Sequence, residues 1–220
     1  MKNIKVIIFD AYGTLFDVNS AAAKTKNKIG EKWEAFANYW RTTQLEYTWL
    51  RTLMGRHKDF WEITEDSLDK SMKVFNVNKL LKNELLDLYK SLSTFPEVNQ
   101  TLKELKKKQY KLTILSNGTP SLIRNLVKEN DLENIFDDLL SVEEVKTYKP
   151  HPHVYNIPIK KYGILKNEVA YLSSNTWDIS AAGNFGFKTI WVNRNNSIFD
   201  NLDFNPPMQI KNLNELINIL

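Results

Sequence analysis

Five short runs of Ile, Val, Leu and aromatic residues constrain the fold of this chain most, at 4–9, 112–115, 139–142, 169–172 and 189–192. They are apolar at almost every position instead of alternating with polar residues. A strand of that kind needs cover on both faces, which the central strands of a parallel sheet receive from flanking helices. The segments between the later runs have helical character. Val98, Leu102 and Leu105 form one apolar stripe, 121–129 lies in a second helix, and Pro152 precedes a third. Pro96 opens the first of these helices, and Pro158 should shorten or bend the last. The pattern predicts an α/β fold, doubly wound about a mostly parallel sheet.

From 17 to 93 the pattern changes. No strand-like run occurs there, and Trp33, Phe36, Trp40, Leu45, Trp49 and Leu53 recur at helical intervals. This predicts a helical insertion directly after the first strand, above the carboxyl ends of the strands, where open α/β sheets bind ligands. The expected division is a core of 1–16 and 94–220 and a helical cap subdomain of 17–93. The Asn-rich stretch 193–207 reads as a surface connection before a last short helix.

With 220 residues, 42% hydrophobic and 12% aromatic, the chain can bury one sizeable core and a smaller satellite. It has no Cys, which excludes disulfides, thiolate metal sites and a Cys nucleophile and agrees with a reducing cytosol. No segment approaches the roughly 20 apolar residues that span a bilayer. The apolar run at 4–9 ends in Asp10 without a cleavage-site pattern. A cytoplasmic protein without membrane contact is expected. The net charge of +4 arises from 30 basic and 26 acidic residues that are interleaved. Lys106, Lys107 and Lys108 form the only basic run, on the solvated face of a helix. Nucleic acid is therefore not an expected partner, whereas a small anion is favoured.

The chemistry centres on Asp10, which ends the first apolar run and is followed by Ala11-Tyr12-Gly13-Thr14-Leu15-Phe16-Asp17. A carboxylate at the end of a buried strand is unfavourable by several kcal/mol unless a cation and hydrogen-bond donors surround it. A nucleophile is a natural reason for such an arrangement, and a capped turn is the alternative. Asp10-Ala11-Tyr12-Gly13-Thr14-Leu15 resembles the first motif of the haloacid dehalogenase superfamily. Later motifs follow in order at or after the ends of later runs: Ser116-Asn117-Gly118, Lys149-Pro150, and Ser173-Ser174-Asn175-Thr176-Trp177-Asp178. The resemblance implies a Rossmann-like core with the cap inserted after its first strand.

Two departures separate the chain from the phosphatases of that superfamily. Tyr12 stands where a phosphatase has a second Asp to protonate the leaving alcohol, and a phenol with a pKa of about 10 is a poor donor at neutral pH. Ser173 stands five residues before Asp178, where an acidic magnesium ligand is expected. Displacement of halide from carbon needs neither group. Phosphoryl transfer depends on both proton donation and charge neutralisation. No metal and no cofactor are therefore expected, and a magnesium-dependent small-molecule phosphatase is the rival reading.

The insertion sharpens the choice. Tyr39-Trp40-Arg41-Thr42-Thr43-Gln44-Leu45-Glu46-Tyr47-Thr48-Trp49-Leu50 and Met54-Gly55-Arg56 resemble the cap of the L-2-haloacid dehalogenases. That resemblance spans nearly the whole chain and implies a homodimer acting on a small 2-haloacid with water and releasing halide. It implies Asp10 as nucleophile, supported by Thr14, and Arg41 as the halide receiver, helped by Asn117. Ser116 would bind the substrate carboxylate and Lys149 would compensate Asp10. Tyr155, Ser173, Asn175 and Asp178 would order the site and its water. Tyr12, Leu45, Phe60 and Trp177 would wall the alkyl group. His57, His151 and His153 fall in polar segments and suggest no metal site.

Overall fold

The computed structural model describes residue 1 and residues 3–220. Strand β1 (Val6–Phe9) is followed by five helices: α1 (Ser20–Lys24), α2 (Lys26–Ile29), α3 (Trp33–Leu53), α4 (Phe60–Val74) and α5 (Lys82–Lys90). Then come α6 (Val98–Lys107), β2 (Lys111–Ser116), α7 (Pro120–Glu129), β3 (Asp138–Ser141), α8 (Pro152–Tyr162), β4 (Val169–Ser173), α9 (Thr176–Phe185), β5 (Lys188–Val192) and β6 (Gln209–Ile210). The strands form one sheet in the order β3-β2-β1-β4-β5-β6, with every pair parallel. Every residue of β1 and β4 is buried, so helices cover both faces of the sheet. This is the doubly wound, Rossmann-like α/β core.

The strand order reverses between β1 and β4. From β1 the chain turns toward β2 and β3, and from β4 toward β5 and β6, which opens a crevice at their carboxyl ends. Asp10 follows β1 directly and Ser173 ends β4, so the register Phe9↔Leu172 sets the two motifs side by side.

Five strands coincide with the five apolar runs; the sixth was not foreseen. β6 has two residues, too few for a periodic pattern, and completes the sheet edge by pairing with Trp191 and Val192. The last short helix is a 3-10 helix over Leu213–Asn218 that buries Leu213 and Leu216. Pro158 does not end α8, which runs on to Tyr162 and stops at left-handed Gly163.

Helices α1 to α5 lie between β1 and α6, and α3 packs along α4. Phe36 and Trp40 on α3 and Ile63, Leu68 and Met72 on α4 are buried. Leu53, counted in the apolar series, is instead 83% exposed, and Trp33 and Trp49 are half-buried. Buried hydroxyls on this helix pair bond back to their own helices: Thr48 donates to Leu45 O at 2.6 Å, Thr64 to Phe60 O at 2.7 Å and Ser71 to Ser67 O at 2.7 Å. The backbone acceptors take up the hydrogen of each hydroxyl, and Thr64 in addition accepts from Gln44 Nε2 across the helix pair at 2.6 Å. The chain leaves and re-enters the core at one place, where Phe16 and Thr94 form an antiparallel bridge. Asp17 N donates to Ser93 O at 2.9 Å and Phe95 N to Leu15 O at 3.1 Å.

Candidate active site

The turn after β1 places the first two groups. Gly13 adopts a φ of +85°, a conformation an L side chain resists, and its N–H donates to Phe16 O at 2.7 Å. The chain folds back, and Thr14 Oγ1 reaches Asp10 Oδ2 at 3.2 Å. Thr14 also accepts from Ser174 N at 2.8 Å, which ties the loops after β1 and β4 together.

Asp10 is only 5% exposed, and every oxygen of its carboxylate is held. Oδ1 accepts from Lys149 Nζ at 2.9 Å. Oδ2 accepts from Asn175 Nδ2 at 2.9 Å, from Thr14 and, more distantly, from Ser173 Oγ at 3.4 Å. Lys149, 1% exposed, also donates to Asp178 Oδ2 at 3.1 Å. Asp178 lies fully buried in the first turn of α9. Its Oδ1 accepts from Tyr155 at 2.7 Å and from Tyr171 at 3.0 Å, and Tyr171 also reaches Oδ2 at 2.9 Å. Asp10, Thr14, Lys149, Tyr155, Ser173, Asn175 and Asp178 are therefore one hydrogen-bonded cluster.

Burial pushes the Asp178 carboxyl above its ordinary value; Lys149 opposes that shift and Asp10 adds to it. Burial and then the Asp178 charge raise the Tyr155 and Tyr171 phenols, keeping both as donors. Burial and the neighbouring Tyr89 raise the Tyr12 phenol as well, which makes it a still poorer acid than a free phenol.

The phosphatases of this fold would hold magnesium through the nucleophilic carboxylate, a backbone carbonyl and an acid of the last motif. The residues present do not fit the ion. Asn175 Nδ2 donates to both Asp10 Oδ2 and Tyr12 O, at 2.9 and 3.3 Å, so an amide nitrogen bridges the two oxygens that would ligate it. Asp178 has both oxygens occupied by Lys149, Tyr155 and Tyr171. Ser173 supplies no third carboxylate.

A cavity of about 520 Å³ lies beside the cluster, with Tyr12, Arg41, Leu45, Asn175 and Trp177 on its wall. Asp10 is off that wall, reached through Asn175, which lines the cavity and donates to its Oδ2. Arg41, half-buried on α3, sets its guanidinium 5.9 Å from the centre of the Tyr12 ring. Trp177 meets Trp49 edge-on at 5.5 Å, so one wall of the cavity joins α9 to α3. Phe60 is fully buried behind Tyr12, with ring centres 5.2 Å apart, and does not line the cavity. Ser116 Oγ accepts from Gly118 N at 3.0 Å, and Asn117 Oδ1 accepts from Lys149 N at 3.1 Å. Among the described residues, Arg41 and Ser116 make no hydrogen bond to Asp10.

Four contributors carry no role in the sequence reading. Tyr171 looked like one more apolar strand residue, although its two-residue spacing from Ser173 puts both on one face of β4. Gln44 lies inside the cap-like segment without a role of its own there, and Tyr89 lies outside every motif. Arg194, inside the stretch read as a surface connection, is largely buried: it donates to Thr14 O at 2.8 Å and to Glu97 at 2.6 Å and covers Phe95.

A family model of haloacid dehalogenase-like hydrolases matches residues 7–192. The chain belongs to that family of hydrolases. Within it, (S)-2-haloacid dehalogenase 1 of Pseudomonas sp. (strain CBS-3) is 42% identical over 223 residues, covering 100% of this chain and 98% of the relative. (S)-2-haloacid dehalogenase 4A of Burkholderia cepacia is 40% identical over 194 residues, 87% of this chain and 84% of its own. The L-2-haloacid dehalogenase of Xanthobacter autotrophicus, solved with chloropropionic acid covalently bound, superimposes with a TM-score of 0.91 at 32% identity, covering 98% of each chain.

Proposed function

We propose that the protein hydrolyses small (S)-2-haloalkanoic acids to (R)-2-hydroxyalkanoic acids through an ester on Asp10, without a metal. The observation that carries this reading is the Asn175 amide between Asp10 Oδ2 and Tyr12 O, which turns a cation site into part of a preorganised carboxylate cradle. The similarity to (S)-2-haloacid dehalogenases over the full chain supports it.

In the first step Asp10 attacks C2 from the side opposite the halogen. The carbon–halogen bond breaks, halide leaves with the electron pair, and C2 inverts. No proton moves. In the second step water attacks the Asp10 carboxyl carbon, the hydroxy acid departs, and a proton is released to solvent. Lys149 balances the charge of Asp10, while Thr14, Ser173 and Asn175 orient its carboxylate. Tyr155 and Asp178 order Lys149 and the hydrolytic water. Arg41, with Asn117, receives the halide, and Ser116 with neighbouring backbone amides binds the substrate carboxylate. Tyr12, Leu45, Phe60 and Trp177 shape the apolar side of the site.

The same reading divides the chain into a core of 1–16 and 94–220 and a cap of 17–93, with substrate bound in the seam. It makes the protein a cytoplasmic homodimer, for which exposed Leu50, Leu53 and Met54 at the end of α3 offer an apolar contact surface. Among the described residues, no helix is long and apolar enough to cross a membrane.

Chloride release from the two enantiomers of 2-chloropropionate, with and without EDTA, tests the proposal. The expected result is EDTA-resistant release from the (S) form alone. EDTA-sensitive phosphate release from a phosphate ester, without dehalogenation, would favour the phosphatase. A single turnover in ¹⁸O-water should label Asp10 and leave the product unlabelled.

A further inference from the structure

Arg41 does not stand alone over the cavity. Gln44 lies three residues further along α3, on the same face, and accepts from Arg41 Nη1 at 2.9 Å. Gln44 is only 1% exposed, so its amide needs partners inside the protein. Their arrangement has a direction. Thr64 Oγ1 gives its single hydrogen to Phe60 O, so toward Gln44 it can only accept, and the Gln44 atom 2.6 Å away is Nε2. The Tyr89 hydroxyl accepts from the same Nε2 at 3.0 Å and stands 3.2 Å from Oε1. Oε1 therefore faces Arg41. Tyr89 also stacks on Tyr12 at 5.8 Å, the ring over which the guanidinium lies.

We propose that Gln44 is a positioning residue for Arg41, with Thr64 and Tyr89 fixing the direction of its amide. The inference rests on the proposed role of Arg41 as halide receiver. An unanchored Arg side chain samples many rotamers, and one fixed N–H removes much of that freedom while leaving the others to meet an anion. The acceptor is neutral. A carboxylate in its place would hold Arg41 as firmly but cancel the charge a departing halide needs, so a buried amide is the chemically suited partner.

Bromide inhibition of (S)-2-chloropropionate hydrolysis reads the halide position directly. Gln44→Leu should raise the bromide inhibition constant roughly tenfold, the scale of one hydrogen bond to a charged group. KM should move less than about twofold, because substrate carboxylate binding is separate. Thr64→Val should shift bromide inhibition the same way, and Thr64→Ser, which keeps the hydroxyl, should recover it relative to Thr64→Val. Unchanged bromide inhibition in both Gln44→Leu and Thr64→Val overturns the inference. So does a fall in maximal rate alone that matches lost folded protein in both, with KM and the bromide inhibition constant unmoved. Failure of the proposed function has a different signature, since the unaltered protein would then release no halide from either enantiomer.

Discussion

Lys149 Nζ lies 2.9 Å from Asp10 Oδ1, in an ion pair whose two residues are 1% and 5% exposed. A pair sealed this well depends on both members, because removing one leaves an uncompensated buried charge. Lys149 further serves Asp178, so its loss strands two carboxylates. Lys149→Met is expected to lower stability by about 3–5 kcal/mol and to abolish halide release. Urea unfolding at neutral pH measures the first and a chloride assay the second. A stability change below about 1 kcal/mol would contradict the idea that the lysine is the site's charge balance.

The raised Asp178 carboxyl predicts a pH dependence of a definite sign. An acid whose pKa is higher folded than unfolded takes up a proton on folding. Its contribution to stability is greatest below the ordinary value of 3.8, falls as pH rises to the raised folded value, and is flat above it. The stability of the wild-type protein minus that of Asp178→Asn should therefore decrease with rising pH through that window. A difference that increases there, read from urea midpoints, would mean that Lys149 and the phenols outweigh burial.

Gly118 predicts a steric coupling. A Cβ built on it would meet the Tyr12 hydroxyl at 2.8 Å and its Cε2 at 3.0 Å, while Phe60 and Tyr89 pack against the same ring. Gly118→Ala should destabilise by about 1–3 kcal/mol, the usual penalty for overpacking. Among the described residues the Tyr12 hydroxyl has no hydrogen-bond partner, so Tyr12→Phe alone should change stability little. The double variant should regain part of the loss, and a double-mutant cycle by thermal unfolding measures the coupling.

The Asn175 amide can be converted back toward a metal ligand. Asn175→Asp would set a second carboxylate against Asp10 Oδ2 and Tyr12 O. It should remove dehalogenation and create magnesium-dependent stabilisation, about 2.7 kcal/mol at a magnesium concentration a hundredfold above Kd. The wild-type melting temperature should not respond to the same magnesium titration. A wild-type response equal to the variant's would reopen the phosphatase reading.

The five longer strands and the helices between β1 and α6 were legible because continuous apolar runs and helical spacing act over many residues at once. β6 was not, since two residues carry no period and their pairing depends on where β5 already lies. At the site, the resemblance to family motifs singled out Asp10, Lys149, Asn175 and Asp178, and the structure gathers them within hydrogen-bonding distance. Tyr171 and Arg194 were hidden for opposite reasons. One sits in an apolar strand and looks like core, while the other sits in a polar loop and looks solvated. Only the fold reveals that each ends on a site residue. Phe60, which the resemblance sets around the substrate's alkyl group, packs behind Tyr12 with ring centres 5.2 Å apart, a depth that a motif does not encode.

The bridge between Phe16 and Thr94 has a meaning for ancestry as well as for shape. The two ends of the helical insertion are already hydrogen-bonded neighbours, so the sheet is wired identically whatever hangs between them. Such a junction behaves as a socket: one helical cassette can be exchanged for another without disturbing strand order or nucleophile. On the proposed reading of Asp10 as nucleophile, its carboxylate keeps its place at the end of β1 independently of the helices that follow.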